Sequence, residues 1–294
     1  MLLMISGVTL QSVLPVTLKE AFALSDSREI LWLLEKATGL TSTQLRLTDV
    51  NTPLTAESEN VLLHMIKQRH KHIPLQYVLG CWEFMGLPIE CRPGVLIPRR
   101  DTEILAAEAI RFLKNCPESP VVLDLCTGSG CVGISMAYFC PEARVISSDI
   151  NMNAIKLAKE NAVNNGVGDR ISFIQSDLFE KINGQFHCIT ANPPYIPTKE
   201  IAGLSNEVRQ EPILALDGGI DGLDFYRAII PVCGKYLLPE GEIFLEIGST
   251  QGKQVAAMLQ THGFKDVAVI KDMESRDRVV RGKIIERIYS CLTD

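Results

Sequence analysis

The residues with the most chemistry to offer are Asn192-Pro193-Pro194-Tyr195, set between the apolar run Phe186 to Ala191 and a further proline, Pro197. Two consecutive prolines lock their own φ angles and push Asn192 toward an extended conformation, so this backbone is rigid before any ligand arrives. Neither proline carries an N–H. What remains is a set of acceptors: the carbonyls of Asn192 and Pro193 and the Asn192 side-chain oxygen, with the flat ring of Tyr195 beside them. That arrangement suits an NH2 group on a planar partner. A simple turn would use the same residues, so the tetrapeptide gains weight only in company.

The company is the loop Asp124-Leu125-Cys126-Thr127-Gly128-Ser129-Gly130, in which Gly128, Gly130 and Gly133 spell G-x-G-x-x-G. Such a loop after a strand first suggests a dinucleotide. Asp124 argues against it, because a carboxylate at the mouth would repel a pyrophosphate. It would suit a ligand bearing an ammonium, and S-adenosylmethionine has an ammonium, a sulfonium and no phosphate. Asp149 stands where an acidic residue accepts hydrogen bonds from ribose hydroxyls, and Ser176-Asp177-Leu178-Phe179 follows a third strand in a position to flank adenine. Each acid taken singly is also a good helix cap or turn residue. Three at successive strand ends argue for a binding site.

These residues require a sheet to carry them. Val121 to Leu125, Arg144 to Ile150, Ile171 to Asp177, Phe186 to Ala191 and Glu242 to Ile247 read as strands. Helices read over Thr102 to Asn115, Val132 to Phe139, Asn153 to Asn164, Phe225 to Leu237 and Gln251 to His262. The alternation predicts an α/β fold with a doubly wound, mostly parallel sheet, closed by an antiparallel pair over Val267 to Lys271 and Val279 to Tyr289. Ahead of it, residues 1–72 read as a small helical partner-recognition domain. Its helices are a first amphipathic one within Met1 to Leu24, another over Arg28 to Thr38 capped by Asp26 and Ser27, and a third after Thr55. Residues 73–100 read as a β-hairpin linker, and residues 101–294 as the catalytic domain.

The 294 residues are 46% hydrophobic, enough for a substantial core, and the nine cysteines include no Cys-x-x-Cys pair, so neither a disulfide framework nor a metal site is signalled. With a net charge of -6, no basic signal-peptide start and no membrane-length apolar run, the expectation is a cytoplasmic protein that binds neither nucleic acid nor membrane. The basic run Lys67 to Lys71 reads as a solvated helix end.

The loop, Asp149 and the Asn-Pro-Pro-Tyr segment together resemble a class I methyltransferase acting on a planar amine nitrogen. Further stretches narrow the resemblance: Pro74 to Gly80, Leu96-Ile97-Pro98-Arg99 with Asp101-Thr102-Glu103, Glu211-Pro212, Asp221-Gly222-Leu223 and Arg278-Val279-Val280. The chain resembles the release factor glutamine methyltransferases. That resemblance implies a seven-stranded sheet and, as substrate, the Gly-Gly-Gln glutamine of class 1 peptide release factors, methylated on its amide nitrogen. It also implies that Cys126, Thr127, Gly128, Ser129, Gly130, Asp149, Leu178 and Asn192 line the cofactor and that Asn192 to Tyr195 hold the glutamine. The sequence departs from the family at Cys126 and Ser275, where glycine is common, at Arg100, where proline is frequent, and at Leu178, where some members have tryptophan. An adenine-N6 methyltransferase shares the acceptor socket, and a non-catalytic cofactor-binding protein would share the loop.

Overall fold

The computed structural model describes residues 16–23, 27–116 and 119–284, with the backbone course of residues 4–5 and 8–9. It folds as two compact units, Met1–Gly80 and Cys81–Asp294. The boundary is expected at residue 72 with the hairpin set apart; it falls at residue 80, and the hairpin belongs to the second unit.

The first unit begins with two-residue antiparallel strands, β1 (Met4–Ile5) and β2 (Val8–Thr9), and then α1 (Leu18–Phe22). The amphipathic helix expected within residues 1–24 is thus reduced to five residues. A capping box between Thr17 and Glu20 starts it only at Leu18. Next come α2 (Ser27–Thr38), α3 (Ser42–Leu47), α4 (Ala56–His70) and α5 (Leu75–Leu79). Asp26, the expected cap of α2, lies outside the described residues. Ile30, Leu33 and Leu34 of α2 and Leu62, Met65 and Ile66 of α4 are buried, at the spacing of one helical face. Within the basic run of α4, Arg69 is not a solvated end residue. Its Nε donates to Glu29 at 2.6 Å, which ties α4 to α2.

The second unit opens with the hairpin β3 (Cys81–Phe84) and β4 (Leu87–Glu90). Its turn residues Met85 and Gly86 both have positive φ, +53° and +78°, the geometry that matches strand twist in a two-residue turn. Leu75 to Val78, expected as part of the hairpin, is instead α5, started after Pro74 and ended by Gly80 at φ +76°.

Then follow α6 (Thr102–Leu113), β5 (Val121–Leu125), α7 (Cys131–Phe139), β6 (Arg144–Asp149), α8 (Met152–Asn164), β7 (Ile171–Gln175) and β8 (Phe186–Ala191). The chain ends with α9 (Thr198–Ile201), α10 (Asp224–Cys233), β9 (Leu237–Glu246), α11 (Gly252–Thr261), β10 (Lys265–Lys271) and β11 (Asp277–Lys283). The seven-stranded sheet has the order β10-β11-β9-β8-β5-β6-β7. The five strands from β9 to β7 are parallel, and β11 runs antiparallel to both β9 and β10. The expected closing pair is therefore present, with residues 285–289 outside the described part.

β5 shows why the strands are apolar throughout. Val122 faces a core built with Leu105, Ala109 and Ile134, whereas its neighbour Leu123 faces another built with Tyr226, Ile229 and Val280. Both faces are covered, so a period-two alternation of polarity has no place. The chain moves outward from β5 through β6 to β7 and then returns to β5's other side as β8. The gap outside the carboxyl ends of β5 and β8 is a topological switch point, the standard position for a ligand in such a sheet.

The turn joining β10 to β11 holds Ser275 at φ +64°. A left-handed conformation costs a non-glycine residue roughly 1–2 kcal/mol, partly offset by glycine's greater freedom when unfolded. Ser275→Gly is expected to stabilise the protein by about 0.5–1 kcal/mol, seen as a higher thermal midpoint. An unchanged or lower midpoint would contradict this account of the turn.

Candidate active site

A cavity of about 510 Å³ lies at the switch point. Of the residues singled out from sequence, Asp124, Cys126, Thr127, Gly128, Ser129, Asp149, Asp177, Leu178, Asn192 and Pro194 line it. Gly130, Pro193 and Tyr195 are not among its lining residues.

Asp124, the last residue but one of β5, is almost wholly buried, with 1% exposure. Its Oδ2 accepts from Thr127 Oγ1 at 2.5 Å and its Oδ1 from Thr190 Oγ1 at 2.7 Å. Burial pushes its pKa up to about 6 despite these hydroxyls. The carboxylate therefore closes the loop onto its own strand and onto β8 at once. Asp149, at the end of β6, takes the Gly128 N–H at 2.9 Å and the Asn151 N–H at 2.8 Å; burial raises its pKa as well. Both carboxylates shape the loop, and both residues line the cavity.

Two glycines of the loop motif answer to packing. A Cβ at Gly130 would stand 2.9 Å from Ala158 Cβ of α8, and one at Gly133 would stand 2.6 Å from Ser147 Oγ. Asn161, fully buried on α8, donates to Ser129 O at 2.9 Å and exchanges bonds with the backbone of Glu90. That side chain ties the loop to the hairpin and was not singled out from sequence.

The socket is held from behind. Tyr195 O accepts from Gln251 Nε2 at 2.9 Å, and Ile196 N–H donates to Leu216 O at 3.0 Å. Gly218 and Gly222 pack directly on this backbone: a Cβ at Gly218 would lie 2.7 Å from Tyr195 Cα, and one at Gly222 only 2.3 Å from Tyr195 O. Among the described residues, no loop hydrogen bond uses the carbonyl of Asn192, Pro193 or Pro194. The Tyr195 side chain packs on the core that includes Leu245 and Ile247, and burial pushes its phenol up to about 12.

Asn192 Nδ2 donates to Thr102 Oγ1 at 3.3 Å. Thr102, the first residue of α6, also lines the cavity. Glu246, the last residue of β9, is buried nearby, and burial pushes its carboxyl up to about 7. A second buried carboxylate, Glu211, accepts from Ile97 N–H at 3.0 Å and from Arg99, fixing the 94–99 wall of the cavity. Glu103 accepts from Met85 N–H at 2.9 Å and so ties the hairpin turn to α6. The sequence places Arg99 and Glu103 together, but their partners divide them between cavity wall and scaffold.

The Methyltransferase small domain model matches residues 105–210, and the PrmC N-terminal domain model matches residues 16–80. A release factor glutamine methyltransferase of Geobacter sulfurreducens is 42% identical over 258 residues, spanning 87% of this chain and 89% of that one. The chain belongs to the release factor glutamine methyltransferase family. The member from Thermodesulfovibrio yellowstonii is 40% identical over 242 residues, covering 81% of this chain and 86% of its own. A methyltransferase structure from Pyrococcus furiosus shares the fold, with a TM-score of 0.51 and 17% identity over 69% of this chain and 91% of that one.

Membership makes one departure physically legible. Cys126, named above as a departure, has φ +55°, a conformation glycine adopts freely. The loop geometry is kept and the strain is carried by the cysteine.

Two measurements probe this architecture. Gly218→Ala should displace the Pro194–Tyr195 backbone and lower methyl transfer by about 100-fold, the scale of an ångström-sized misplacement, while leaving cofactor affinity nearly intact. Wild-type turnover would mean that the backbone yields freely. The second concerns pH. The folded pKa of Asp124 is raised from 3.8 to about 6, so its contribution to stability is fully present below pH 4 and is lost as pH rises through 6. The stability difference between wild type and Asp124→Asn, from denaturant titrations, should shift against the wild type by on the order of 3 kcal/mol over that range.

Proposed function

We propose that this chain transfers a methyl group from S-adenosylmethionine to the side-chain amide nitrogen of the glutamine in the Gly-Gly-Gln motif of class 1 peptide chain release factors, in support of translation termination in the cytoplasm. One observation carries the reading: the acidic loop after β5 and the Asn192 segment after β8 line a single cavity at the switch point. Family membership supplies the substrate class. Among the described residues no helix is long and apolar enough to cross a membrane.

The cavity's chemistry fits that cofactor. Asp124, Asp149 and Asp177 line it, a poor setting for phosphates and a good one for a ligand with cationic groups. In this reading Asp124 faces the ammonium, Asp149 accepts from the ribose hydroxyls, and Leu178 packs on adenine. Cys126, Thr127, Gly128, Ser129 and Gly130 give the loop its course, with Gly130 acting through its packing on α8. When bound, S-adenosylmethionine supplies an electrophilic methyl on a sulfonium.

The rest falls to the protein's own groups. An amide nitrogen is a poor nucleophile because its lone pair is delocalised into the carbonyl. Acceptors at Asn192 Oδ1 and the Pro193 carbonyl would take its two N–H groups, raise its electron density and aim its π-face along the line of transfer. Positive charge developing on nitrogen then meets acceptors already in place. Alignment of this kind can supply about 7–11 kcal/mol in favourable cases. No base is needed beforehand, since the methylated nitrogen loses its proton readily. Pro194 stiffens the segment, and Tyr195 anchors it. The five-helix N-terminal unit would help to hold the release factor, and no nucleic acid is required.

Peptide mass spectrometry of a purified release factor after incubation with this protein and S-adenosylmethionine tests the assignment. One added methyl on the Gly-Gly-Gln glutamine is expected; transfer to DNA or RNA instead would overturn the substrate. Asn192→Ala should lower transfer by about 10²–10³-fold, with a far smaller change in cofactor affinity. Near-normal turnover in that variant would sink the mechanism.

A further inference from the structure

We propose that Arg99 receives the carboxylate of the cofactor's methionyl group, and that the buried Glu211 is the positioning residue that holds the guanidinium for that contact. The inference rests on the cofactor reading above. It assigns the one charged group of S-adenosylmethionine that the acidic residues of the cavity leave without a partner.

S-adenosylmethionine carries two positive groups, the ammonium and the sulfonium, and one negative group, the α-carboxylate. Asp124, Asp149, Asp177 and Asp224 line the cavity and suit the positive groups. They oppose the negative one. A carboxylate set among them needs a cation or a set of N–H donors. Among the described residues, Arg99 is the one cation that lines the cavity.

Arg99 also stands at the right end of the cavity. One wall starts at Gly94, whose carbonyl accepts from Asn151 Nδ2 at 2.9 Å, and the Asn151 N–H in turn donates to Asp149. It ends toward Thr102, whose hydroxyl accepts from Asn192 and whose N–H donates to Arg99 O at 3.1 Å. With the ribose at Asp149 and the methyl directed at an amide held by Asn192, the methionyl group falls at the Arg99 end. Glu211 fixes the guanidinium there. Its side chain is only 1% exposed, its Oε2 accepts from Ile97 N–H at 3.0 Å, and its Oε1 accepts from Arg99 Nη2. The Arg99 side chain keeps 35% exposure, and among the described residues Glu211 is the one hydrogen-bonding partner of its guanidinium. Nε and Nη1 are thus uncommitted. A rigid planar fork with donors to spare matches a carboxylate, whereas satisfying Glu211 alone would need only a single donor.

The test is calorimetric titration of the full chain with S-adenosylmethionine, with its decarboxylated form S-adenosylmethioninamine, and with 5′-methylthioadenosine, which lacks the whole amino-acid end. The wild type should bind the decarboxylated form about tenfold more weakly than S-adenosylmethionine, because Arg99 is then left unpaired. Arg99→Gln can still donate to Glu211. It should weaken S-adenosylmethionine by about ten- to a hundredfold, the scale of hydrogen bonds to a charged group, and change the decarboxylated form by less than about threefold. Arg99→Lys should fall between the two, having the charge without the fork. Glu211→Gln should weaken S-adenosylmethionine while sparing the decarboxylated form, a selectivity that mere loosening of the wall would not produce. All variants should bind 5′-methylthioadenosine within about threefold of wild type. Equal losses for the two cofactor forms, a matching loss for 5′-methylthioadenosine, or equal wild-type affinity for the two forms would overturn the contact and leave Arg99 a tie within the wall. So would a raised KM for the release factor with S-adenosylmethionine affinity unchanged. Failure of the wild type to bind S-adenosylmethionine at all would instead overturn the cofactor reading, and this assignment with it.

Discussion

A carboxylate taken out of water must be surrounded by donors, and this constraint organises the ligand end of the sheet. Asp124, Asp149 and Glu211 all stand at or beside the carboxyl edge, mostly or wholly buried. An unmatched charge there would cost several kcal/mol, so each one draws donors from elsewhere in the chain. Asp124 draws hydroxyls from its own loop and from β8, and Asp149 draws backbone N–H groups from the loop and from the start of α8. Glu211 recruits the 97–99 segment. The loops that form the cavity are held chiefly by acids that the cavity itself shelters.

The parts of this arrangement that were legible in sequence are those specified by neighbours along the chain. β5 and β8 are short apolar runs followed by turn residues, and α8 is an amphipathic run that Gly166 ends at φ +69°. Two prolines after Asn192 announce a stiff segment whatever surrounds it. Short helices were harder to read. α3 has six residues, and its only strong signal is the capping box of Thr41 and Gln44. α5 has five, and apolar residues at 75, 77 and 78 mimic a strand until Pro74 and Gly80 are taken as its ends.

Within the site, the illegible part is pairing over distance. Thr102 and Asn192 are 90 residues apart, and Asn161 and Glu90 are 71 apart. No periodicity predicts that they meet. Gly218 and Gly222 left a fainter trace, in a glycine-rich stretch close behind the socket, but their reason is visible only when the Tyr195 backbone is seen pressed against them. Ser275 and Cys126 could be named as departures from a glycine habit. What the departure costs depends on φ, which the sequence does not display.

The acceptor-only character of the Asn192-Pro193 backbone has a consequence for discrimination. Glutamate has the shape of glutamine, yet its carboxylate would set two oxygens against fixed oxygens, so exclusion of the isostere comes from polarity rather than size. The same asymmetry acts on the product. A methylated amide keeps only one N–H, so one acceptor loses its partner as transfer is completed, and an acceptor left without a donor weakens the complex. Departure of the modified side chain is thus favoured by the number of protons left on a single nitrogen.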